Sequence, residues 1–260
     1  MKNYKKHWTQ TMFIDKAKLW LHYLDRGWSQ APGTVKSILK ILKENGIKKG
    51  KVLELGCGNG RIILNLAKKG FNAYGLDISQ LYIEDARKKA KKMKVKAFLQ
   101  PGDYRNVDKL VRGKFDVVIS IWTSIGFYDK KTDESIFKKV AKLLRKKGLL
   151  LILNTMSRER LLSFYNPHIF DEDDKYLKLD FNTYDKTRSI VNNRWVFYKK
   201  LKNNLKYIDE LEFALRIYSL PEIVDMVEKN GLKLVAAYDL LLTRQPVQNN
   251  SPINMVFQKV

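Results

Sequence analysis

The chain has 260 residues, of which 45% are apolar and 30% charged, so it is globular and long enough for one large α/β domain. Its 50 Lys and Arg against 27 Asp and Glu give a net charge of +23, which favours a polyanionic partner such as nucleic acid. The lysines are nevertheless spread over many segments, as expected of scattered surface charge. One cysteine excludes an internal disulfide framework, and no apolar run suits a membrane span or a signal core. We therefore expect a cytoplasmic protein without a membrane segment.

Residues 1–33 concentrate aromatic side chains among basic ones, and several recur at helical spacing, for example Phe13, Trp20 and Leu24. We expect a helix that packs on the main domain. Closing a ligand pocket as a lid is an additional role for such a helix.

An alternation of strands and helices follows. Residues 31–33 predict a break, and Thr34 is the predicted N-cap of a helix that Gly46 ends. The next predicted elements are strands at 51–55, 72–76, 95–99, 115–121 and 148–154 and helices at 59–69, 79–92, after Tyr104 and at 133–146. This βαβ rhythm predicts a parallel sheet with helices on both faces.

The rhythm stops after Thr155, and the following residues predict a small antiparallel β subdomain inserted in the sheet order. Its segments are a helical or irregular stretch at 156–170, an acidic loop at 171–174, and alternating stretches at 176–217 with turns at 184–187 and 202–204.

The α/β pattern resumes at Ser219 and Glu222, which form a capping-box pattern for a helix that Gly231 ends. Strands at 232–238 and 253–260 have no helical pattern between them and are predicted to pair antiparallel. The predicted organisation is a single domain with a helical cap at 1–33, an α/β core at 34–155, the β insert at 156–217 and a closing helix and hairpin at 218–260.

The most informative stretch is Val52–Arg61, VLELGCGNGR, a strand followed by alternating glycines. Such glycines accept positive φ and let a ligand lie against bare main chain, although nucleotide and dinucleotide sites share this turn. The second strand ends in Asp77, 23 residues after Glu54, where a carboxylate can accept hydrogen bonds from ribose hydroxyls. Asp103 follows the third strand and can accept one from an adenine amino group. Each acid alone fits an ordinary surface or helix-start role, but acids at three successive strand ends predict a mononucleoside cofactor.

These residues resemble the class I S-adenosylmethionine-dependent methyltransferases over almost the whole chain. The resemblance implies a Rossmann-like sheet of about seven strands, mostly parallel, with an antiparallel last strand. It also implies that the turn at Glu54 faces the methionine part of the cofactor, that Asp77 binds the ribose and that Asp103 binds the adenine. The expected cofactor contacts are Glu54, Gly56, Cys57, Gly58, Gly60, Asp77, Ile78, Gly102, Asp103, Tyr104, Ile121 and Trp122.

Local patterns resemble small-molecule methyltransferases of this family, a subgroup that includes sugar and amino-acid N-methyltransferases. In that subgroup an inserted β subdomain roofs the acceptor site. The patterns are TSIGFY at Thr123–Tyr128, LLRKKGLLLILNT at Leu143–Thr155, RIYSLPEIVDMVEKNGLKLVAAYD at Arg216–Asp239 and SPINMVFQKV at Ser251–Val260. The turn at 144–148 departs from the usual L-x-P-G-G, which concerns structure rather than function.

Other chemistries find little support. Cys57 is expected to be a small buried filler, and without a second cysteine the covalent mechanism of cytosine-C5 methyltransferases has no nucleophile outside the glycine turn. Residues 121–124 lack the N/D-P-P-Y/F pattern of adenine-N6 enzymes. His7, His22 and His168 do not form a metal-ligand spacing, so no metal is expected.

Methyl transfer from a sulfonium is an in-line displacement, so the protein mainly aligns the reactants and excludes water. An amine acceptor must lose a proton to solvent or to a weak base, for which Tyr128, His168 and Tyr238 are the candidates. Ser124, Asp129 and Tyr165 join them as residues that can position the acceptor. We expect the insert and the N-terminal helix to close over the site, with Trp122 near the adenine edge.

The leading hypothesis is a methyltransferase acting on nitrogen or oxygen of a small molecule, as a monomer or homodimer. The charge of +23 supports a second hypothesis, a tRNA or rRNA methyltransferase. A third is a cofactor-binding partner subunit without activity of its own, in which the insert is an interface.

Overall fold

The computed structural model describes residues 6–122 and 124–260. The first five residues of the predicted N-terminal cap, and Thr123 of the TSIGFY pattern, therefore lie outside the described residues. The strands are β1 Lys51–Leu55, β2 Asn72–Asp77, β3 Ala97–Pro101, β4 Phe115–Ile121, β5 Leu144–Thr155, β6 His168–Glu172, β7 Tyr176–Asp185, β8 Ile190–Leu201, β9 Asn204–Arg216, β10 Leu232–Ala237 and β11 Ile253–Lys259.

Seven of these strands form one sheet in the order β10-β11-β5-β4-β1-β2-β3. β1 to β5 pair parallel, whereas β11 pairs antiparallel with both β5 and β10. The sheet order reverses between β1 and β4, which leaves a crevice at the carboxyl ends of these strands. The predicted fold class, including the antiparallel final pair, is confirmed.

Helices cover both faces of this sheet. They are α1 Trp8–Gln10, α2 Ala17–Arg26, α3 Ala31–Glu44, α4 Ile63–Lys68, α5 Gln80–Met93, α6 Val107–Leu110, α7 Lys130–Leu143, α8 Arg158–Phe164 and α9 Leu220–Glu228, with a π-helical turn at Thr11–Asp15 and a 3-10 turn at Tyr104–Asn106. Because side chains alternate along a strand, Val52 packs into the core beneath α3, α4 and α5, and Leu53 packs into the core beneath α6, α7 and α9. Both side chains are fully buried.

The glycine turn delays the helix that follows β1. The predicted helix at 59–69 begins only at Ile63, because Gly56, Gly58 and Gly60 have φ of 67°, 52° and 86°. Left-handed backbone cannot continue into a right-handed helix. The turn is therefore longer, and the helix shorter, than predicted.

The predicted N-cap at Thr34 is wrong. Helix α3 begins at Ala31 with Pro32 in its first turn, so the predicted break at 31–33 is helical. Proline is compatible with a first turn, whose N–H groups have no partner within the helix. The Thr34 hydroxyl instead donates to the carbonyl of Gln30 at 3.3 Å, which is one helical turn earlier.

Helix α7 and strand β5 both begin earlier than predicted. The Asp129 carboxylate accepts the Thr132 N–H at 2.7 Å and caps α7, and β5 follows directly at Leu144. The pairing of β4 with β5 shifts register after Phe115, and Lys147 has a φ of 63°. This irregularity occupies the turn that departs from L-x-P-G-G.

The other four strands form a separate antiparallel sheet in the order β6-β7-β8-β9. Its tight connections lie at 186–189 and 202–203, close to the predicted turns. The predicted acidic loop is only partly a loop, because Asp171 and Glu172 belong to β6 and pair with β7. The capping box at Ser219 and Glu222, by contrast, is present as predicted.

The N-terminal segment, residues 6–28, lies between the two sheets. On the side of the large sheet, the Tyr82 hydroxyl donates to the carbonyl of Ala17 at 3.1 Å. On the side of the small sheet, the Lys16 ammonium donates to the Asp209 carboxylate at 2.7 Å. No helix in the described ranges is long and apolar enough to cross a membrane.

Candidate functional site

A cavity of about 390 Å³ lies at the carboxyl ends of β1, β2, β3 and β4. Eight of the twelve expected cofactor contacts line it, namely Gly56, Gly58, Asp77, Ile78, Asp103, Tyr104, Ile121 and Trp122. The N-terminal segment, the loop after β4 and the small sheet supply most of the remaining wall. The size is that of a pocket for a small ligand.

The glycine turn is tied to the end of β2. The N–H groups of Gly56 and Cys57 donate to the carbonyl of Leu76 at 2.8 and 3.0 Å. The Gly58 N–H donates to the Asp77 carboxylate at 2.8 Å. A Cβ on Gly58 would lie 3.4 Å from the side chain of Leu24, so the N-terminal segment packs onto bare main chain here.

Asp77 is oriented by two backbone amides, since its carboxylate also accepts the Ser79 N–H at 2.9 Å. Burial raises the pKa of Asp77 to about 6, although both amides oppose this shift. Each carboxylate oxygen has two lone pairs, so the group can still accept hydrogen bonds from a ligand in the cavity.

Asp103 lies at the other end of the cavity and is paired with Arg105. The Arg105 guanidinium donates two hydrogen bonds to one Asp103 oxygen, at 2.5 and 2.8 Å, and the Arg105 N–H donates to the other at 2.9 Å. The guanidinium carbon also lies 4.3 Å from the centre of the Tyr128 ring. Sequence reasoning missed Arg105, although its position two residues after Asp103 was visible.

Glu54 lies beneath the glycine turn and does not line the cavity. Glu54 is 1% exposed, and Oε2 has no hydrogen-bond partner among the described residues. Burial raises the pKa of Glu54 to about 8, while the positive charge of Arg61 and the Ile63 amide oppose the shift.

Arg61 lines the cavity and was missed as a site residue. Its guanidinium carbon lies 3.4 Å from the centre of the Trp122 ring. Burial lowers the pKa of Arg61 to about 10, and a Cβ on Gly27 would collide with the guanidinium. Trp122 has a φ of 58°, so the backbone is left-handed at the residue whose ring meets this cation.

Three further expected contacts, Cys57, Gly60 and Gly102, do not line the cavity. The buried Cys57 sulfur would meet a Cβ on Gly75 at 2.7 Å. Gly60 and Gly102 allow close packing, because a Cβ on either would lie 3.0 Å or less from a leucine side chain.

Of the candidates for catalysis, only Tyr128 lines the cavity. His168 begins β6 and faces a separate open groove, and Tyr238 pairs through its N–H with the carbonyl of Asn254. Ser124 also lines the cavity. Asp129 is exposed and caps α7. Neither Asp129 nor Tyr165 is among the described residues that line the cavity.

A chain of hydrogen bonds leads from Tyr128 to His7. The Thr9 N–H donates to His7 Nδ1 at 3.4 Å, which makes Nδ1 the unprotonated nitrogen. The Thr9 hydroxyl, 2.8 Å from Nδ1, therefore donates to it as well. The Tyr128 hydroxyl can then donate to Thr9 Oγ1 at 3.5 Å. Burial, and next the charge of Arg105, lower the pKa of His7, so this imidazole is neutral at pH 7.

The roof of the cavity is aromatic. Trp20 stacks on Trp195 with centroids 5.0 Å apart, and Trp195 meets the edge of Phe213 at 4.5 Å. Trp8 lies 5.2 Å from Phe213 and 5.0 Å from Phe127. Side chains alternate between the two faces of β8 and β9, and this alternation could have indicated which rings of the insert face the cavity. Trp195, for example, lies opposite Leu211 in the pairing of the two strands.

A hydrogen bond and a salt bridge join α2 to the small sheet. His22 Nε2 lies 2.5 Å from an Asp173 oxygen, and the Arg26 guanidinium lies 3.1 Å from Asp171. The acidic segment at 171–174 thus contacts the N-terminal segment, a role that the sequence did not indicate. In the described part of the chain, no group of three His, Cys, Asp or Glu residues has the arrangement of a metal site.

Comparison with known proteins adds independent evidence. Residues 52–148 match the family described as "Methyltransferase domain". The chain is 32% identical over 193 residues to YqeM of Bacillus subtilis, which is named as a methyltransferase without an acceptor, and the match covers 72% of this chain and 75% of YqeM.

Solved structures share the fold. An S-adenosylmethionine-dependent methyltransferase from Clostridium acetobutylicum superposes with a TM-score of 0.78 at 20% identity, covering 94% of this chain and 98% of the other. An amino pentose methyltransferase from Micromonospora echinaspora, with S-adenosylmethionine bound, gives a TM-score of 0.69 at 14% identity, covering 87% and 90%. The strand order, the glycine turn and the match to YqeM agree, and the chain belongs to the class I S-adenosylmethionine-dependent methyltransferases.

Proposed function

We propose that this protein transfers a methyl group from S-adenosylmethionine to nitrogen or oxygen of a small molecule held in the cavity. The observation that carries this proposal is the roof, because the N-terminal segment and the small sheet cover the strand ends where the two reactants must meet. Among the described residues that line the cavity there is no lysine, despite the net charge of +23. A covered, aromatic cavity suits a metabolite, whereas RNA needs an open basic surface.

The residues present fit the cofactor. Gly56 and Gly58 offer bare main chain, Asp77 offers an acceptor for ribose hydroxyls, and Asp103 offers one for the adenine amino group. Arg61 is a buried cation that forms no salt bridge with a described residue, so it can receive the carboxylate of an amino-acid tail. Glu54 lies beneath this end of the cavity, where it accepts a hydrogen bond from the Ile63 N–H at the start of α4. When bound, the cofactor supplies an electrophilic methyl group on a sulfonium.

The protein's own contribution is alignment, exclusion of water and proton removal. The aromatic roof keeps water from the reacting atoms. The reaction forms a C–N or C–O bond on the acceptor and breaks a C–S bond, whose electron pair stays on sulfur. The proton of the acceptor passes to the Tyr128 hydroxyl as the Tyr128 proton moves through Thr9 to His7 Nδ1.

Calorimetry with S-adenosylhomocysteine tests the cofactor site. Asp77→Ala should weaken binding by about 100-fold or more, because hydrogen bonds to a buried charged group are lost. Asp225→Ala removes an exposed acid from α9 and should leave the affinity unchanged. Equal affinities in all three proteins would refute the assigned site.

Two assays separate the alternatives. Filter binding with bulk tRNA should show weak retention, and tight retention that falls steeply with salt would favour an RNA substrate instead. Transfer of labelled methyl groups to a small-molecule extract should be detectable. Cofactor binding without transfer to either pool would indicate a partner subunit.

A further inference from the structure

The wall of the cavity opposite the strand ends consists of aromatic rings from distant parts of the chain. The N-terminal segment contributes Trp8, Phe13 and Trp20, the loop after β4 contributes Phe127, and the small sheet contributes Trp195 and Phe213. Successive rings touch through faces and edges, with centroids 4.5 to 5.7 Å apart. Such a wall is complementary to a flat apolar ring, because its rings can make both offset-stacking and edge contacts with a ligand.

Among the described residues, the aromatic wall presents no carboxylate to a positively charged ligand inside the cavity. The two carboxylates that line the cavity, Asp77 and Asp103, lie at the strand ends. The polar groups beside the aromatic wall are the hydroxyls of Thr9, Ser124 and Tyr128, which are neutral donors and acceptors. A buried ammonium without a paired carboxylate is costly.

A cation of the chain itself lies behind this wall, against the Trp195 ring and outside the described residues that line the cavity. The Lys178 ammonium lies 4.1 Å from the centre of the Trp195 ring and 5.9 Å from the centres of the Trp20 and Tyr23 rings. Lys178 is 9% exposed and forms no salt bridge with a described residue. The charges that act on it are the carboxylates of Asp180 and Asp171 and the guanidinium of Arg26.

Aromatic cages commonly bind ammonium ligands, but here the chain's own lysine already lies against one ring of the wall. At the other end of the cavity, Arg61 lies in the same way on Trp122. A second cation held on the cavity side of Trp195 would be disfavoured by roughly tenfold or more at an effective dielectric constant of about 20.

Building on the proposed function, we propose that the acceptor is a flat aromatic small molecule that is neutral or anionic, and that Lys178 makes the site select against ammonium-bearing analogues. The ring of the acceptor lies against Trp195 and Phe213, with its nucleophilic oxygen or nitrogen toward Tyr128. Lys178 acts through the Trp195 ring and is a specificity-determining residue rather than a catalytic one.

The test uses matched probes that share one ring and differ in charge. Full-length protein saturated with S-adenosylhomocysteine is titrated by calorimetry with indole-3-acetate, indole-3-ethanol and tryptamine. The anionic and neutral probes should bind about tenfold or more tightly than tryptamine. Lys178→Met keeps the length of the side chain and should bring tryptamine to within about threefold of the neutral probe.

Two further variants control this experiment. Lys178→Arg keeps the charge and should preserve the ranking of the probes, and Lys206→Met removes an exposed lysine of β9 and should change nothing. If Lys178→Met fails to fold, the ranking in the wild-type protein and in Lys178→Arg decides the matter.

The outcomes separate this inference from the proposed function. Tryptamine binding as tightly as the other probes, or no binding of any probe to the loaded protein, would overturn the inference while leaving cofactor binding intact. Failure of S-adenosylhomocysteine itself to bind would instead overturn the proposed function.

Discussion

The hydroxyl oxygen of Thr9 lies 2.8 Å from His7 Nδ1 and 3.5 Å from the hydroxyl oxygen of Tyr128. Thr9, a residue of the N-terminal segment, therefore connects Tyr128 in the cavity wall to the imidazole of His7. Thr9 is 1% exposed, which shields the connection from bulk water. In the proposed mechanism, this connection gives the proton of the acceptor a route that no single candidate base provides.

We predict that His7→Asn slows methyl transfer by about 100-fold, within the usual range for losing a general base. Asparagine can still accept the Thr9 N–H as a helix cap, but it cannot take up a proton. In the wild-type protein the rate should rise with pH through a value below 6.5, because the pKa of His7 is lowered and only its neutral form accepts a proton. The variant should lack this rise.

The measurement is transfer of labelled methyl groups across pH 5 to 8, with the histidine titrations followed by NMR. His168→Gln removes an exposed histidine of β6 that does not line the cavity and is the control. An unchanged pH profile in His7→Asn would show that His7 only caps α1.

The buried Glu54 should make the cofactor-free protein less stable as the pH rises. Its pKa is about 8 in the folded state, against 4.5 for an ordinary glutamate, so the folded state binds the extra proton. Its contribution is fully present below about pH 4.5 and is lost as the pH rises through about 8. Glu54→Gln should reduce the loss of unfolding free energy between pH 5 and 8 by about 3 kcal/mol.

Urea unfolding at several pH values checks this prediction. Asp77 and Asp133, with pKa values raised by burial to about 6 and 7, act in the same direction but in both proteins. Glu84→Gln, on the exposed face of α5, should retain the pH dependence of the wild-type protein. Parallel stability curves for wild type and Glu54→Gln would contradict the burial argument.

Gly126→Ala should destabilise the protein by about 2 kcal/mol or more. Gly126 has a φ of 87°, and a Cβ there would collide with the carbonyl of Arg216 at the end of the small sheet. Gly46→Ala is a matched control, because Gly46 has a φ of 76° but open space around it. It should cost only the backbone strain of about 1 kcal/mol. Equal losses in denaturant unfolding would mean that the loop moves freely away from β9.

Asp173→Asn should weaken the attachment of α2, in the N-terminal segment, to the small sheet. Burial opposes ionisation of Asp173, but the hydrogen bonds from His22 and from the Lys175 and Tyr176 amides together lower its pKa to about 2. Its stabilising contribution is therefore present above pH 3.8 and is lost as the pH falls through about 2.

We expect hydrogen exchange of residues 17–26 to accelerate about threefold to fivefold in Asp173→Asn at pH 7, as for loss of up to about 1 kcal/mol from a partly exposed pair. Asp174→Asn changes the exposed neighbour and should leave this exchange unchanged. Acceleration in neither variant would indicate that aromatic stacking alone holds α2.

The sequence by itself determined the parts of this protein that depend on local pattern. Alternating apolar residues and short joints specify parallel strands, and the carboxyl ends of parallel strands meet at one edge, so Asp77 and Asp103 could be placed in one site. The capping box at Ser219 and Glu222 spans only one helical turn and was equally legible. Fold class, family and cofactor class follow from such features.

The tertiary structure alone decided how the site is completed. Glu54 passes beneath the turn while Arg61 enters the cavity, because the left-handed glycines delay α4 and redirect the chain. Thr9 contacts Tyr128, which is 119 residues away in the sequence. Trp20 contacts Trp195 only because the N-terminal segment packs between the two sheets. Contacts of this kind leave no periodic trace in the sequence, since they depend on the relative placement of elements rather than on spacing within one. For the same reason, the inference about the acceptor depends on how the aromatic side chains of the roof pack in the tertiary structure.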